Sequence, residues 1–380
     1  MLLLASVALA VWIFLSLDPA RRWPRGRVLP VDSFAAGGDE VRAIVPARNE
    51  AEALPDTLPR LLAQGDPVRL VLVVDDRSED GTVDVARRLG EAGSGPTPLD
   101  VVSVKTLPAG WAGKVHAMET GLRALDETWQ ESEERRWVLF TDADIEHPED
   151  VARRLLAKSR EGYDLVSVMA RLRAVSFWER LLIPAFVWFF HAMYPFRLVG
   201  RKGSRVAAAA GGLMLVRLDA LRRAGGSVAW KDAIIDDVAL ARGVKKAGGR
   251  IWLGFAEDVI SRRPYETLAS IIDMVARSAF VELRRRYALV PLVWAALLLV
   301  FVVPVVAVAT GIATGSGLLT AIGASACLLQ LVHVLPSFRW HRAGAGFALL
   351  MPVAAVLYAW MTTVSAWRHL RGRRTTWRAR

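Results

Sequence analysis

An α/β domain with a mostly parallel sheet, flanked by membrane helices at both ends, is the fold class this sequence predicts, and three observations predict it. Two strand-length apolar runs end in paired acids: residues 69–78 close on Asp75 and Asp76, and residues 137–145 carry Asp142 and Asp144. From about 41 to 286, strand-length runs alternate with helical stretches, the pattern of βαβ units. Finally, 53% of the 380 residues are hydrophobic and 23% charged, too apolar for an ordinary soluble enzyme and too charged to lie wholly in a bilayer.

The elements follow in order. Residues 2–17 are apolar and are followed by Arg21, Arg22, Trp23, Arg25 and Arg27, a positive flank with an interfacial tryptophan. A signal peptide would carry basic residues before the run and a small-residue cleavage site after it; neither is present, so residues 1–20 read as an uncleaved anchor. In the expected domain, 40–287, the first strand starts at Val41 and runs into the polar loop around Asn49 and Glu50. The second strand ends at Asp75 and Asp76, before the turn Glu79-Asp80-Gly81-Thr82. A third strand lies near 99–104, and a fourth ends at Asp142. Between these last two, Gly113 opens a helix with Lys114 in its first turn, where a cation opposes the helix dipole unless an anion sits nearby. A phosphate would supply that anion; a solvated lysine is the plainer explanation.

Residues 181–196 are almost wholly apolar but interrupted by Pro184 and Pro195, which favours an interfacial helix over a crossing, with a buried core helix as the alternative. Asp236 and Asp237 open a further helix. Three apolar stretches, 288–312, 318–337 and 345–366, make a C-terminal membrane region, 288–367, before a basic tail, 368–380.

Arginine placement orients the chain. The basic flank after the first segment and Arg284, Arg285 and Arg286 before the second put 40–287 in the cytoplasm, at the inner membrane of a multi-pass protein. The tail arginines, from Arg368 to Arg380, ask for the same side, whereas three crossings would put them opposite. The stretch holding Gln330 and His333 and closing at Pro336 is therefore expected to be re-entrant. The net charge of +11 is arginine set beside apolar segments, which suits the bilayer surface as partner and not nucleic acid. The single cysteine, Cys327, rules out a disulfide framework, and six scattered histidines argue against a zinc enzyme.

Residues two apart on a strand point to one side, so Asp142 and Asp144 can converge on a hard divalent cation, Mg²⁺ or Mn²⁺, able to hold a diphosphate. In a parallel sheet, ligands collect at the carboxyl ends of the strands, where Asp75, Asp76, Asp142 and Asp144 fall. Neither a dinucleotide fingerprint nor a P-loop is present, which disfavours those two classes of nucleotide enzyme. Gly211 and Gly212 allow close approach of an acceptor or fit a tight bend. Helix capping competes with catalysis as the reason for Asp236 and Asp237.

Val45-Pro46-Ala47-Arg48-Asn49-Glu50, Val74-Asp75-Asp76-Arg77-Ser78-Glu79-Asp80-Gly81-Thr82, Gly113-Lys114, Thr141-Asp142-Ala143-Asp144, Ala210-Gly211-Gly212 and Ile235-Asp236-Asp237 occur in this order. As an ordered set they resemble family 2 glycosyltransferases of the GT-A fold. Trp111-Ala112-Gly113-Lys114, Ile251-Trp252-Leu253-Gly254, Arg263-Pro264-Tyr265 and the stretch 274–280 are similar to the hopene-associated, ceramide-glucosyltransferase-like branch. The resemblance implies donor binding by Pro46, Arg48, Glu50, Asp75, Asp76, Lys114 and Asp142, with Asp76 on the base. It also implies metal binding by Asp144 with Asp142, an acceptor side at Gly211 and Gly212, and Asp237 as catalytic base with Asp236 beside it. Membrane members of the family carry a Gln/Arg-x-x-Arg-Trp motif; residues 277–287 lack its tryptophan, leaving Arg277 and Arg284 to face the diphosphate.

The expected function is inverting, metal-dependent transfer of a sugar from a nucleotide-sugar donor, UDP-linked by preference, to a membrane lipid such as a hopanoid. A processive polysaccharide synthase is the alternative among enzymes. A catalytically inactive nucleotide-sugar-binding partner of a lipid-modifying complex is the alternative outside them.

Overall fold

The structure, a computed structural model, describes residues 1–24, 26–30, 38–126, 129 and 135–372. Arg25 of the first basic flank and the tail beyond Gly372 lie outside the described residues. The chain forms two compact units. One is α/β and spans 25–172 and 196–263; the other is helical and spans 1–24, 173–195 and 264–375. Residues 173–195 and 264–287, expected from their sequence in the 40–287 domain, pack into the helical unit.

The α/β unit is built on an eight-stranded sheet. Strands β1 (Glu40–Ala47), β2 (Val68–Asp75), β3 (Leu99–Ser103) and β4 (Arg136–Thr141) form a parallel block in the order β3-β2-β1-β4. The sheet continues through β7 (Leu213–Arg217), β6 (Leu165–Leu172), β8 (Ile251–Ser261) and the short β5 (Ile145–Glu146). β7 runs antiparallel to both β4 and β6, and β8 runs parallel to β6. β8 therefore points the same way as β1 and β4, and its carboxyl end reaches the same edge. Helices α2 (Leu54–Leu62), α3 (Thr82–Glu91), α4 (Gly113–Asp126), α5 (Val151–Ser159), α7 (Phe196–Gly200), α8 (Leu218–Arg223) and α9 (Asp236–Lys246) complete the unit.

Buried strand residues such as Val71, Val73, Leu139 and Leu215 form one core with Leu58 and Leu155. Each such side chain contributes about 1.5–3 kcal/mol on leaving water. Pro46 in a central strand follows from the register. The β1–β4 ladder ends at Ile44 opposite Phe140, so the missing N–H falls beyond that ladder.

In the helical unit, α1 (Leu2–Leu17), α6 (Phe177–Met193), α10 (Leu268–Glu282), α11 (Leu289–Leu297), α13 (Gly317–Trp340), α14 (Ala345–Leu349) and α15 (Met351–Leu370) share an apolar core, and Ala307 of α12 (Val303–Thr314) forms a smaller one with Ala5 and Leu319. A π-helical segment, Leu298–Val302, joins α11 to α12, and its Val300 carbonyl accepts the indole N–H of buried Trp12 at 2.9 Å. α6 starts in a capping box of Ser176 and Glu179, and the fully buried Glu179 also accepts from Arg173 and the backbone of Val175 and Tyr265. Burial alone would raise this carboxyl; those hydrogen bonds outweigh it and hold the group below the usual range.

Among the described residues two helical stretches, Leu289–Thr314 and Gly317–Trp340, are long and apolar enough to cross a membrane. A Cβ on Gly323 would sit 2.9 Å from backbone atoms of Pro304 and Val308, so glycine is what lets α12 and α13 close on each other. At ~1.5 Å per residue the 16 residues of α1 reach about 24 Å, short of a hydrocarbon core of ~30 Å. The re-entrant expectation is corrected. α13 runs unbroken through Pro336, with Gln330 and His333 buried in helix contacts and His333 Nε2 3.0 Å from Ser16 Oγ. Among the described residues, the last of the three C-terminal apolar stretches, in α15, does not join those two by length and hydropathy. α15 ends with Arg368 paired to Asp273 at 2.6 Å and His369 against Tyr287 and Phe280, beside the start of the first span. Its Trp360 and Trp367, seven residues apart, are exposed.

Candidate active site

Two loops at the carboxyl edge are laced together by their own side chains. Asn49 and Arg77 adopt left-handed backbone, with φ of 55° and 57°, and Asn is among the few residues that tolerate it. Ser78 Oγ accepts the Asn49 N–H, Asn49 Oδ1 accepts the Glu79 N–H, and Thr82 Oγ1 accepts the Glu50 N–H, all at 2.8–2.9 Å. Asp75 Oδ1 accepts the Ser78 N–H at 3.1 Å, so Asp75 shapes the loop. Asp80 accepts from Ala51 and Thr82; burial opposes its charge, but these bonds prevail and keep it below the usual carboxylate range. Asp76 is fully buried, its Oδ1 3.0 Å from Arg77 Nε and its Oδ2 3.5 Å from Arg48.

A second group lies just past β4, just before β7 and at the starts of α4 and α9. Lys114 Nζ is 2.7 Å from Asp142 Oδ1 and 3.2 Å from Asp236 Oδ2. Asp237 accepts the Gly211 N–H at 2.8 Å and the Val238 N–H at 2.7 Å. A Cβ on Gly211 would lie 3.3 Å from Asp237 Oδ2 and 3.4 Å from Lys114 Nζ, so the glycine lets the backbone approach both. Gly212 has a different surrounding: there a Cβ would press on Ile145 at 3.1 Å, and its carbonyl accepts from Thr141. Thr141 Oγ1 also meets buried His147, whose imidazole burial pushes down to about 4.

The electrostatics separate these acids. Asp237 is pushed up to about 7 by burial and by repulsion from Asp236, against the pull of Lys114. Asp142, only partly withdrawn from water, also rises through that desolvation and through Asp144, while Lys114 draws it back. For Lys114 burial acts downward, yet Asp142 and Asp236 overcome it and keep the ammonium above its ordinary value. A cation at the first turn of α4 thus has its anions within the protein, rather than needing a bound phosphate.

A third group was missed from the sequence. Arg263, just past β8, donates from Nε to Asp144 Oδ2 at 2.6 Å and from NH2 to Glu50 Oε1 at 3.0 Å. It joins the β1 loop to the second acid after β4. The signal, a basic residue following a strand, becomes meaningful only once β8 is known to share the direction of β1. Arg277 lies on α10 and Arg284 in the turn after it, with φ of 52°; both belong to the helical unit.

Among the described residues no group of three or more His, Cys, Asp or Glu is arranged around one point. The oxygen set nevertheless suits Mg²⁺ or Mn²⁺, which use one or two carboxylates and complete their shell with phosphate and water. Asp142 remains 35% exposed while one of its oxygens holds Lys114. Asp144 is buried with Oδ2 committed to Arg263.

A sheet of this order, with acids and bases gathered on its carboxyl edge, defines a GT-A-like α/β fold. Residues 43–225 match the glycosyl transferase family 2 model and residues 137–363 the glycosyl transferase family group 2 model. The second match takes in more than half of the chain, which belongs to this family of glycosyltransferases. The solved mannosyltransferase PcManGT from Pyrobaculum calidifontis, in complex with GDP-Man and Mn²⁺, is similar in fold, with TM-score 0.57, 20% identity and coverage of 97% of this chain and 99% of that one. Glucosyl-3-phosphoglycerate synthase from Mycobacterium tuberculosis, with Mg²⁺ and uridine diphosphate, is a weaker likeness: TM-score 0.41, 18% identity, 67% of this chain and 87% of that one. The undecaprenyl-phosphate 4-deoxy-4-formamido-L-arabinose transferase of Pseudomonas syringae pv. syringae (strain B728a) is 27% identical over 143 residues, 37% of this chain. That match spans only 38% of the relative's length.

Proposed function

We propose that this chain is a membrane-embedded glycosyltransferase moving a sugar from a nucleotide-sugar donor to a hydroxyl of a membrane lipid, with inversion at the anomeric carbon. The observation that carries the reading is Asp237, a carboxylate raised to about 7 beside Lys114 and Gly211 on the sheet's carboxyl edge. A base with that affinity is half ionised near neutral pH and strong enough to accept a proton as it leaves an alcohol. In the proposed reaction Asp237 takes the acceptor's hydroxyl proton while the oxygen bonds to the anomeric carbon. The bond from that carbon to the diphosphate breaks, and the nucleoside diphosphate leaves with the electron pair. One displacement inverts the centre.

Donor binding is assigned to the two laced loops, with Arg48, Arg77 and Asp76 toward the nucleoside and Glu50 held in place by Arg263. Pro46 and Asp75 support those loops. Asp142 and Asp144 would hold Mg²⁺ or Mn²⁺, which when bound neutralises charge growing on the leaving diphosphate. Lys114 contributes a permanent cation to the same region. The two spanning stretches and the apolar helical unit support a lipid acceptor, a hopanoid or glycerolipid hydroxyl among them. The test is transfer by purified full-length protein in detergent, given labelled UDP- and GDP-sugars with membrane lipid extract. Absence of both transfer and donor hydrolysis would defeat the reading.

A second reading, a polyprenyl-phosphate acceptor, is favoured by the Pseudomonas relative's name. A phosphate oxygen is already ionised at neutral pH and needs no base. Asp237→Asn therefore separates the two: transfer collapses for a hydroxyl acceptor and persists for a phosphate.

A further inference from the structure

One cleft of the α/β unit has no part in the chemistry above. It is lined by Pro108, Trp111, His116, Glu119, Thr120 and Arg123, around the start of α4. Trp111 and His116 meet edge to face, ring centroids 5.3 Å apart. His116 Nδ1 is shut off from solvent with no hydrogen-bond partner. A buried N–H without a partner is costlier than a buried lone pair, so the proton of the neutral ring belongs on Nε2. Burial also lowers the affinity of this imidazole for a second proton, and among its neighbours the charge of Asp76 acts on the ring. The cleft thus offers an indole face and one N–H donor beside the loops that carry Asp76.

We propose that this cleft receives the base of the donor nucleotide, with Trp111 as its packing surface and His116 Nε2–H donating to a ring carbonyl oxygen. This deepens the glycosyltransferase reading and rests on it. Uracil and guanine carry such a carbonyl; adenine has none, so the cleft selects uridine and guanosine diphosphates against adenosine diphosphate. Glutamine at 116 keeps an N–H near the position of Nε2, whereas alanine keeps nothing.

The experiment is calorimetric titration of the full-length protein in detergent, with Mn²⁺, using UDP, GDP, ADP and inorganic pyrophosphate. Expected are a preference for UDP or GDP over ADP, and UDP or GDP binding weakened about 3- to 10-fold in His116→Ala, the size of one neutral hydrogen bond. His116→Gln should recover most of that loss, Trp111→Ala should lose at least as much, and pyrophosphate should bind all four proteins equally. Equal affinity for ADP, undiminished UDP and GDP binding in both alanine variants, or parallel loss of pyrophosphate would overturn the assignment while leaving the glycosyltransferase reading intact. Failure of every nucleotide to bind the wild-type protein would instead bring down the reading beneath it.

Discussion

Asp237 concentrates the residue-scale argument. Its folded affinity, about 7, lies above that of an exposed aspartate, so the folded state holds this proton more tightly than the unfolded state does. The stabilisation from the protonated form is complete at low pH and is lost as pH rises through about 7. Two outcomes follow for Asp237→Asn, which keeps shape and the Gly211 contact. Its rate with a hydroxyl acceptor should fall by roughly two to four orders of magnitude. Above neutrality its thermal midpoint should equal or exceed that of the wild type, because the charge held unfavourably is gone. Near-normal turnover with donor and acceptor both present would move the base to Asp236. In the wild type, kcat/KM should climb through about pH 7. Lys114→Met removes the cation that draws Asp237 down, so this limb should move upward by about one pH unit or more. An unmoved limb would show that another group titrates.

At the scale of elements, β8 and α15 carry predictions. Arg263, delivered by the end of β8, neutralises two carboxylates that are themselves buried. Removing one partner of fully buried ion pairs costs about 3–5 kcal/mol; with Arg263 28% exposed, Arg263→Met should cost about 2 kcal/mol. The expected readout is a lower thermal midpoint, restored poorly by Arg263→Lys, since an ammonium cannot fork between Asp144 and Glu50 as a guanidinium does. A midpoint equal to the wild type's would mean that those acids find water or another cation. For α15, a chain that crosses only at the two candidate stretches after Arg286 would return to the side it left, which would reconcile the tail arginines with the positive-inside rule. Exposed Trp360 and Trp367 suit a helix lying at the bilayer surface. A single cysteine at Ser316, in a variant lacking Cys327, should react with an impermeant thiol reagent in intact cells, and one at Gly372 only after lysis. Labelling of Gly372→Cys in intact cells would restore the third crossing.

Across the whole molecule, donor and metal should bind as a pair. Each of Asp142 and Asp144 already holds a cationic side chain, so Mn²⁺ alone gains little from them and relies on the oxygens a diphosphate brings. UDP or GDP with Mn²⁺ should raise the thermal midpoint by more than the sum of their separate effects, and Asp142→Asn should abolish the excess. An equal rise with nucleotide in chelator would refute the metal's role.

What the sequence alone determined is what local pattern encodes. Strand-length apolar runs ending in acids placed Asp75, Asp76, Asp142 and Asp144 on one edge, and the ordered motifs named the family that the chain matches. Apolar length marked the two stretches long enough to cross a membrane, but it marked 2–17 and 345–366 as well. Tertiary structure decided the rest, because those facts depend on residues far apart in the chain. Insertion of β7 between β4 and β6 is what puts Gly211 against Asp237 and Lys114, 26 and 97 positions away. Burial among neighbouring acids raised Asp237, a shift no spacing reveals. The direction of β8 brought Arg263 to Asp144, and the partners of Ser16, His333 and Tyr287 showed which helices of the apolar unit pack together. Composition measures how apolar a segment is; only the tertiary structure says what it packs against.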